Sequence, residues 1–319
     1  MKSWHKLLPA IFKHEKIALL LLLLVSGAVF AQGTDRGLWL YGKDIGYSDD
    51  TAVIEKEGIV GVANCYVRDM PSTSGKLIDS LQLGKRVLVK RLTQKTQKIK
   101  GIDMNWVEIQ YLSGITTKKG YLWLGFLALD FKTTNTLSFL TVLERVSAKK
   151  EEDGSVSPEY VLGIKVLDQN NALLDSKEIR KDINDTPYHK ESLMGNYGLR
   201  NIQNLYRISF SGGVFGIPTY YFYFGWTGTK LLVLPEKMSI VKAAVYSYNE
   251  TFIFPDEPGG KPGYIFKIIE ESKGRISANE DESEIIPTEN EVWKETYTWD
   301  GEKVIFIKKS LQQKELFKQ

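Results

Sequence analysis

Side chains suited to nucleophilic or metal chemistry are scarce in this 319-residue sequence. It contains one cysteine, Cys65, and three histidines, of which only His189 lies beyond the first 31 residues. A zinc site takes four ligands drawn mostly from His and Cys, and these counts cannot supply one. The HExxH motif, the Walker A loop and a strand-led GxGxxG motif are all absent. The sequence therefore indicates no catalytic residue, no metal site and no cofactor, and it favours a non-enzymatic protein.

Cys65 allows two interpretations. It lies in an apolar stretch from Val62 to Val67 that reads as a strand. Unpaired cysteines are among the most buried residue types, so we expect a buried thiol. The alternative is a reactive thiol or an intermolecular bridge.

Two further stretches could do chemistry. Asp256 and Glu257 lie in a segment rich in Pro and Gly and could bind Ca²⁺ or act as paired acids. Calcium needs about six to eight oxygen ligands, which two carboxylates do not supply, so a turn is the favoured interpretation. The aromatic run 219–224 could line a groove for glycan or peptide, but a core strand is favoured.

A run of basic residues gives the strongest indication of binding. Residues 85–100 hold seven bases and no acid, namely Lys85, Arg86, Lys90, Arg91, Lys95, Lys98 and Lys100. This run could contact an anionic envelope polymer or an acidic partner by charge attraction, and a solvated hairpin is the alternative. Residues 58–132 hold 12 bases and 5 acids, whereas residues 133–319 hold 23 bases and 27 acids. Because the chain after residue 31 is close to neutral, its charge gives no indication of nucleic-acid binding.

The elements that position these residues are predicted to be strands. Short runs rich in Tyr, Phe, Val, Ile and Thr alternate with Gly, Asn, Asp and Pro, which is typical of an all-β protein. The best helical candidate, Ser192 to Leu205, is interrupted by Gly195 and Gly198. A tight turn is predicted at Asp300-Gly301, because this pair favours the positive φ of a short hairpin.

The N-terminus has the pattern of a secretory signal peptide over residues 1–31. Four lysines and one acid precede an apolar run from Ile17 to Phe30, and Ala31 supplies a small residue for cleavage. The run is about 14 residues long, short of the roughly 20 that a membrane-spanning helix needs. We expect export to the periplasm or medium, a mature chain beginning at Gln32 and no stable membrane anchor. An uncleaved anchor is the alternative.

Residues 58–132 resemble the bacterial SH3 (SH3b) domain. The matching pieces are Val67-Arg68, Pro71-Ser72-Thr73, Gly84-Lys85, Val87 to Val89, Trp106-Val107 and Gly120-Tyr121-Leu122-Trp123. Val87 and Val89 should point to one face of a strand and Leu88 to the other. An insertion from Thr93 to Asp103 is expected to lengthen the loop before Trp106. The resemblance implies a small β-barrel that recognises cell-wall peptide or another extracytoplasmic ligand, and we count Trp123 among the candidate binding residues.

These observations predict an all-β protein with a signal helix and two domains. A lead-in segment, residues 32–57, precedes a small SH3-like barrel over residues 58–132. After a polar boundary at residues 132–136, residues 137–319 form a larger antiparallel β-rich domain, a sandwich or meander of no family we can name. The predicted function is non-enzymatic binding of peptidoglycan or an envelope protein. The alternative is a cell-wall or glycan hydrolase accessory, or a hydrolase that depends on carboxylates.

Overall fold

Antiparallel strands account for most of the chain, which confirms the predicted all-β class. The computed structural model describes Tyr41, residues 53–181, Thr186 and residues 188–242, 245–276 and 285–317. The predicted signal peptide and most of the lead-in segment lie outside these residues. Within the described part, no helix is long and apolar enough to cross a membrane.

The first sheet has six strands in the order β1-β4-β5-β6-β2-β3. Its strands are β1 (Val53–Ile59), β2 (Asn64–Arg68), β3 (Leu77–Gln82), β4 (Arg86–Ile99), β5 (Ile102–Ser113) and β6 (Thr116–Trp123). Val87 and Val89 are buried while Leu88 is half-buried on the opposite face, as their alternation predicts.

The predicted loop from Thr93 to Asp103 is wrong, because β4 and β5 continue through it as a long hairpin. The two strands pair as far as Ile99 and Ile102. Lys100 and Gly101 form the connecting turn with φ values of 55° and 86°, the geometry that a two-residue hairpin loop requires. A Cβ atom on Gly101 would lie 2.1 Å from the Val146 carbonyl oxygen, so only glycine fits where this tip meets the second sheet.

The second sheet has four strands in the order β10-β9-β8-β7 and follows a single 3-10 turn at Leu124–Phe126. Its strands are β7 (Ala128–Thr133), β8 (Leu137–Lys150), β9 (Val156–Asp168) and β10 (Leu173–Lys181). The predicted domain boundary falls on the turn between β7 and β8, where the Thr134 hydroxyl accepts a hydrogen bond of 3.0 Å from the backbone of Leu137. The division into two domains stays a prediction.

The third sheet contains nine strands, with β14 paired to β13 and the others in the order β11-β12-β13-β15-β16-β17-β18-β19. Its strands are β11 (Tyr188–Met194), β12 (Asn204–Ser211), β13 (Thr219–Trp226), β14 (Leu231–Val233), β15 (Lys237–Lys242), β16 (Tyr246–Ile253), β17 (Tyr264–Ile276), β18 (Ile285–Trp299) and β19 (Val304–Leu316). The best helical candidate in the sequence, Ser192 to Leu205, does not form a helix. Its two ends belong to paired strands, because Gly195 and Gly198 favour a loop and the flanking residues alternate with period two.

A single apolar cluster joins the three sheets. It contains Trp106 and Trp123 of the first sheet, Phe139 of the second and Tyr206 and Trp226 of the third. The Phe139 ring stacks on Tyr206 with centroids 5.5 Å apart and meets Trp226 edge-on at 6.4 Å. A smaller cluster that includes Phe252, Ile265 and Trp299 packs within the third sheet.

Candidate functional site

Two shallow grooves meet at Tyr111 and Leu112 on the first sheet, and we call them together the Leu112 surface. The amide groove has a volume of about 400 Å³ and includes Ser80, Gln82, Lys85, Ser113, Asn170 and Asn171. The arginine groove, also about 400 Å³, includes Glu57, Arg86, Leu88, Gln110 and Thr117. Leu112 is 59% exposed between them. An exposed apolar side chain flanked by amides and hydroxyls suits a ligand with both apolar and hydrogen-bonding groups.

The amide groove forms where the first and second sheets touch. Asn171 adopts φ 65° in the turn after β9, and its side chain packs against Gly84, which has φ 83°. A Cβ atom on Gly84 would lie 2.5 Å from the Asn171 amide, so this close approach requires glycine. The groove therefore depends on two turns that are distant in sequence.

Asp79 fixes the polar wall of the same groove. Its carboxylate accepts hydrogen bonds of 3.1 Å from Lys118 and from the Tyr111 hydroxyl. The bond from Lys118 is the largest cause that lowers the pKa of Asp79, while burial and the Asp79 bond raise the pKa of Tyr111 to about 12. At neutral pH the groove thus has an ionised, paired carboxylate and a neutral phenol.

The structure places four of the predicted basic residues on the outside of the first sheet. Lys85 lines the amide groove and Arg86 lines the arginine groove. Arg86 pairs with Glu57 at 2.6 Å, Arg91 pairs with Glu108 at 2.7 Å, and Lys90 pairs with Glu55. Acids from β1 and β5 therefore offset three of the charges that the sequence shows as an uninterrupted basic run.

The other predicted site residues are spread over different environments. Lys95 and Lys98 are exposed on β4. Lys100 points inward, and its ammonium group donates to the carbonyls of Leu143 at 2.6 Å and Gly125 at 3.3 Å. Trp123 is fully buried, and its indole donates to the Gln97 carbonyl at 2.9 Å. The eight residues do not converge on one surface, and their contact with a ligand stays a prediction.

The thiol and the imidazole are both inside the protein. Cys65 is buried as expected, and burial raises the pKa of its thiol to about 12. His189 lies on β11 with its Nδ1 atom 3.0 Å from the Glu191 carboxyl. Burial raises the pKa of Glu191, whereas bonds from Glu191 and Lys132 hold the pKa of Asp130 below its ordinary value despite burial.

The remaining candidates have structural roles. Glu257 accepts a hydrogen bond of 2.8 Å from the backbone of Phe254, which confirms the predicted turn. The aromatic run lies on β13, where Tyr223, Phe224 and Trp226 are buried and Tyr220 to Phe222 are half-buried. Among the described residues, no group of three or more His, Cys, Asp or Glu side chains could hold a metal ion.

The main features of the Leu112 surface have little signal in the sequence. Asn170 and Asn171 belong to the domain that was predicted to be separate, and Leu112 reads as an ordinary core position of a strand. The only signal available was the Asp168-Gln169-Asn170-Asn171 stretch, which is typical of a turn that exposes side-chain amides.

Comparison with known proteins gives no relative for this chain. No family model, no curated protein and no solved structure matches it.

Proposed function

We propose that this protein is an exported, non-enzymatic binding protein of the cell envelope. In this proposal the SH3b-like first sheet contacts cell wall or a protein partner through the Leu112 surface. The observation that carries the proposal is the pair of grooves of about 400 Å³ on either side of the exposed Leu112.

The chemistry of the two grooves supports a peptide-bearing ligand. Amides of Asn170, Asn171 and Gln82 can both donate and accept, as the backbone of an extended peptide requires. Lys85 places a cation in the amide groove, which suits the carboxylates of wall peptides or of an acidic protein segment. Arg86 lies beside its partner Glu57 in the arginine groove, where a ligand carboxylate would compete with Glu57. Leu112 offers apolar area to either kind of ligand.

Binding of purified protein to peptidoglycan sacculi, measured by co-sedimentation, tests the proposal. We expect Leu112→Ser and Arg86→Gln each to weaken retention about tenfold or more, since a buried leucine or a charged contact contributes roughly 1.5–3 kcal/mol. Matched controls are Val156→Ser, an apolar residue of similar exposure outside the grooves, and Lys308→Gln, an exposed base outside the basic run and both grooves. These should bind as the native protein does.

A parallel capture from envelope extract separates the two partner classes. Retention by sacculi identifies the wall, and a protein captured by native chain but not by Leu112→Ser identifies a protein partner. Absence of both results, or equal binding by the site variants and the controls, overturns the proposal.

A further inference from the structure

The third sheet carries a cationic face that the proposed function does not use. Lys190, Ser209, Tyr221 and Lys237 lie directly opposite one another across four strands. The neighbouring row contains Ser192, Arg207 and Tyr223. Directly opposed residues of antiparallel strands share a face, so these seven side chains lie on one face of the sheet, which we call the Tyr221 face.

The Tyr221 face turns away from the second sheet. The residues that alternate with it on β12, namely Tyr206, Ile208 and Phe210, belong to the core cluster shared with the second sheet. Arg207, Ser209 and Tyr221 are instead half-buried. Tyr223 packs into the smaller cluster of the third sheet, whereas the other six residues of the face are accessible and lie outside the main core.

Two cations flank the central ring. The Lys237 ammonium lies 4.6 Å and the Arg207 guanidinium 5.7 Å from the centroid of Tyr221. Burial, followed by the charge of Arg207, lowers the pKa of Lys237. The exposed Lys190 adds a third cation at the end of the row, about 14 Å from Lys237 at the usual strand spacing.

No carboxylate lies among the seven residues of the face. Glu250 acts on Lys237 through its charge, but its carboxylate bonds Lys267 at 3.2 Å and Tyr248 at 2.8 Å. Arg207 makes no ion pair with a described carboxylate, and its buried Nε atom has no hydrogen-bond partner among the described residues.

An apolar groove continues the face along the same strands. It has a volume of about 460 Å³ and includes Ser211, Thr219 and Ser239 together with Val214, Phe215 and Ile217. Thr219 and Ser239 are directly opposed and lie two positions from Tyr221 and Lys237, so the groove begins about 7 Å from the cations. Phe215 is 81% exposed, although this loop is tied to β15 by a 2.7 Å bond between Gly216 and Val241.

We propose that the Tyr221 face and this groove together bind an amphiphilic anion. A carboxylate or phosphate head lies among Lys190, Arg207 and Lys237, and an apolar chain lies against Val214, Phe215 and Ile217. The juxtaposition of three cations with an exposed apolar groove selects this ligand class over a neutral lipid, which leaves the cations unused, and over a small anion, which leaves the groove unused.

Isothermal titration of the purified protein below micelle-forming concentrations tests the proposal. Dodecanoate and dodecyl phosphate are the two probes, and they distinguish a carboxylate head from a phosphate head. Dodecyl maltoside supplies the same chain with an uncharged head, and acetate supplies the head without the chain. We expect at least one anionic probe to bind about tenfold or more tightly than both of these, with an affinity that falls as salt rises.

Variants locate the binding. Lys190→Gln/Lys237→Gln should weaken binding of the anionic probe about tenfold or more, and Phe215→Ser should weaken it with little change in its salt dependence. Lys303→Gln/Lys308→Gln and Leu316→Ser, at exposed positions in and beside β19, are the matched controls. If the change at the half-buried Lys237 alters the unfolding midpoint, the single variant Lys190→Gln tests the same contact without it.

Three results would overturn the inference. These are failure of the native protein to bind either anionic probe, equal affinity for dodecyl maltoside, and unchanged affinity in Lys190→Gln and the double variant. None of them bears on retention by sacculi through the Leu112 surface.

Discussion

Lys100 occupies the turn of the β4–β5 hairpin, yet its ammonium group lies between the first and second sheets. It donates to carbonyls of Gly125 and Leu143, and it lies 5.7 Å from the centroid of the Phe126 ring. Burial is the main reason that the pKa of Lys100 falls to about 8, and the nearby Glu144 offsets part of the shift. The charge is costly in this position, because burial favours the neutral amine.

This burial predicts that stability rises with pH between about 8 and 10.5. In that window the unfolded chain binds more protons at Lys100 than the folded chain, so deprotonation favours folding. Below pH 8 both states are protonated and the cost is constant. Lys100→Met should remove a rise on the order of 2–3 kcal/mol in the free energy of unfolding.

Denaturant unfolding of native protein and variant at several pH values measures this difference. The difference between the two proteins isolates Lys100 from buried tyrosines and Cys65, which titrate in both. Lys98→Met, exposed on the same hairpin, should keep the native slope. An identical pH dependence for native protein and Lys100→Met would contradict the prediction.

The ion-pair partners of the charged residues could not be predicted from the sequence. The types and spacing of the seven bases were plain, but their partners were not. Glu57 pairs with Arg86 and Glu108 with Arg91 through strand register, and register depends on long-range pairing. Only a structure distinguishes the exposed Lys95 from the inward-pointing Lys100.

Turns were the most predictable elements, because their signals are local. Asp300 and Gly301 form the predicted hairpin, with φ 102° at Gly301 and the Asp300 carboxylate accepting 2.8 Å bonds from two backbone N–H groups. The ends of long strands were not predictable. From Thr93 to Lys98 the side chains are Thr, Gln and Lys on both faces, so no apolar alternation marks this half of β4, and only pairing with β5 extends the strand.

The last strand, β19, forms an edge of the third sheet and carries a half-exposed apolar run. Ile305, Phe306 and Ile307 are each about half exposed, and the strand is 13 residues long. An exposed edge strand of this kind can pair with a strand of another chain, and charged side chains on the edge oppose that pairing. Lys308 and Lys309 directly follow the apolar run.

We therefore expect Lys308→Ser/Lys309→Ser to aggregate sooner than the native protein. Static light scattering during incubation at a temperature below the unfolding midpoint measures the onset. The control variant is Lys303→Ser/Lys314→Ser, which removes the same charge. Lys303 precedes the strand and Lys314 lies near its C-terminal end, so this variant should aggregate later than the first. Equal onset for both variants would show that net charge, and not the edge, governs association.

The packing of the three sheets was beyond prediction from sequence. The strands and turns could be anticipated one by one, but the main core combines residues from Tyr41 to Leu231. A hairpin turn and a domain linker share the same composition, so the sequence of residues 132–136 does not distinguish between them, and the division into two domains stays a prediction.

Phe139 should therefore support the fold of all three sheets at once. Its ring is fully buried and lies between Tyr206 and Trp226 in the cluster that contains Trp106 and Trp123. Phe139→Ala should cost about 3–5 kcal/mol, since it removes apolar contact and leaves a cavity.

Hydrogen exchange followed by mass spectrometry shows how far that loss spreads. If the core is one cooperative unit, amides of β5 in the first sheet and β12 in the third sheet lose protection together, because both exchange through the same global opening. Leu173→Ala, at a half-exposed position on β10, controls for loss of an apolar side chain outside the core. Two independent modules would respond differently, because β12 would lose protection while β5 kept its native rate. That outcome would support the predicted boundary at residues 132–136 as a division between folding units.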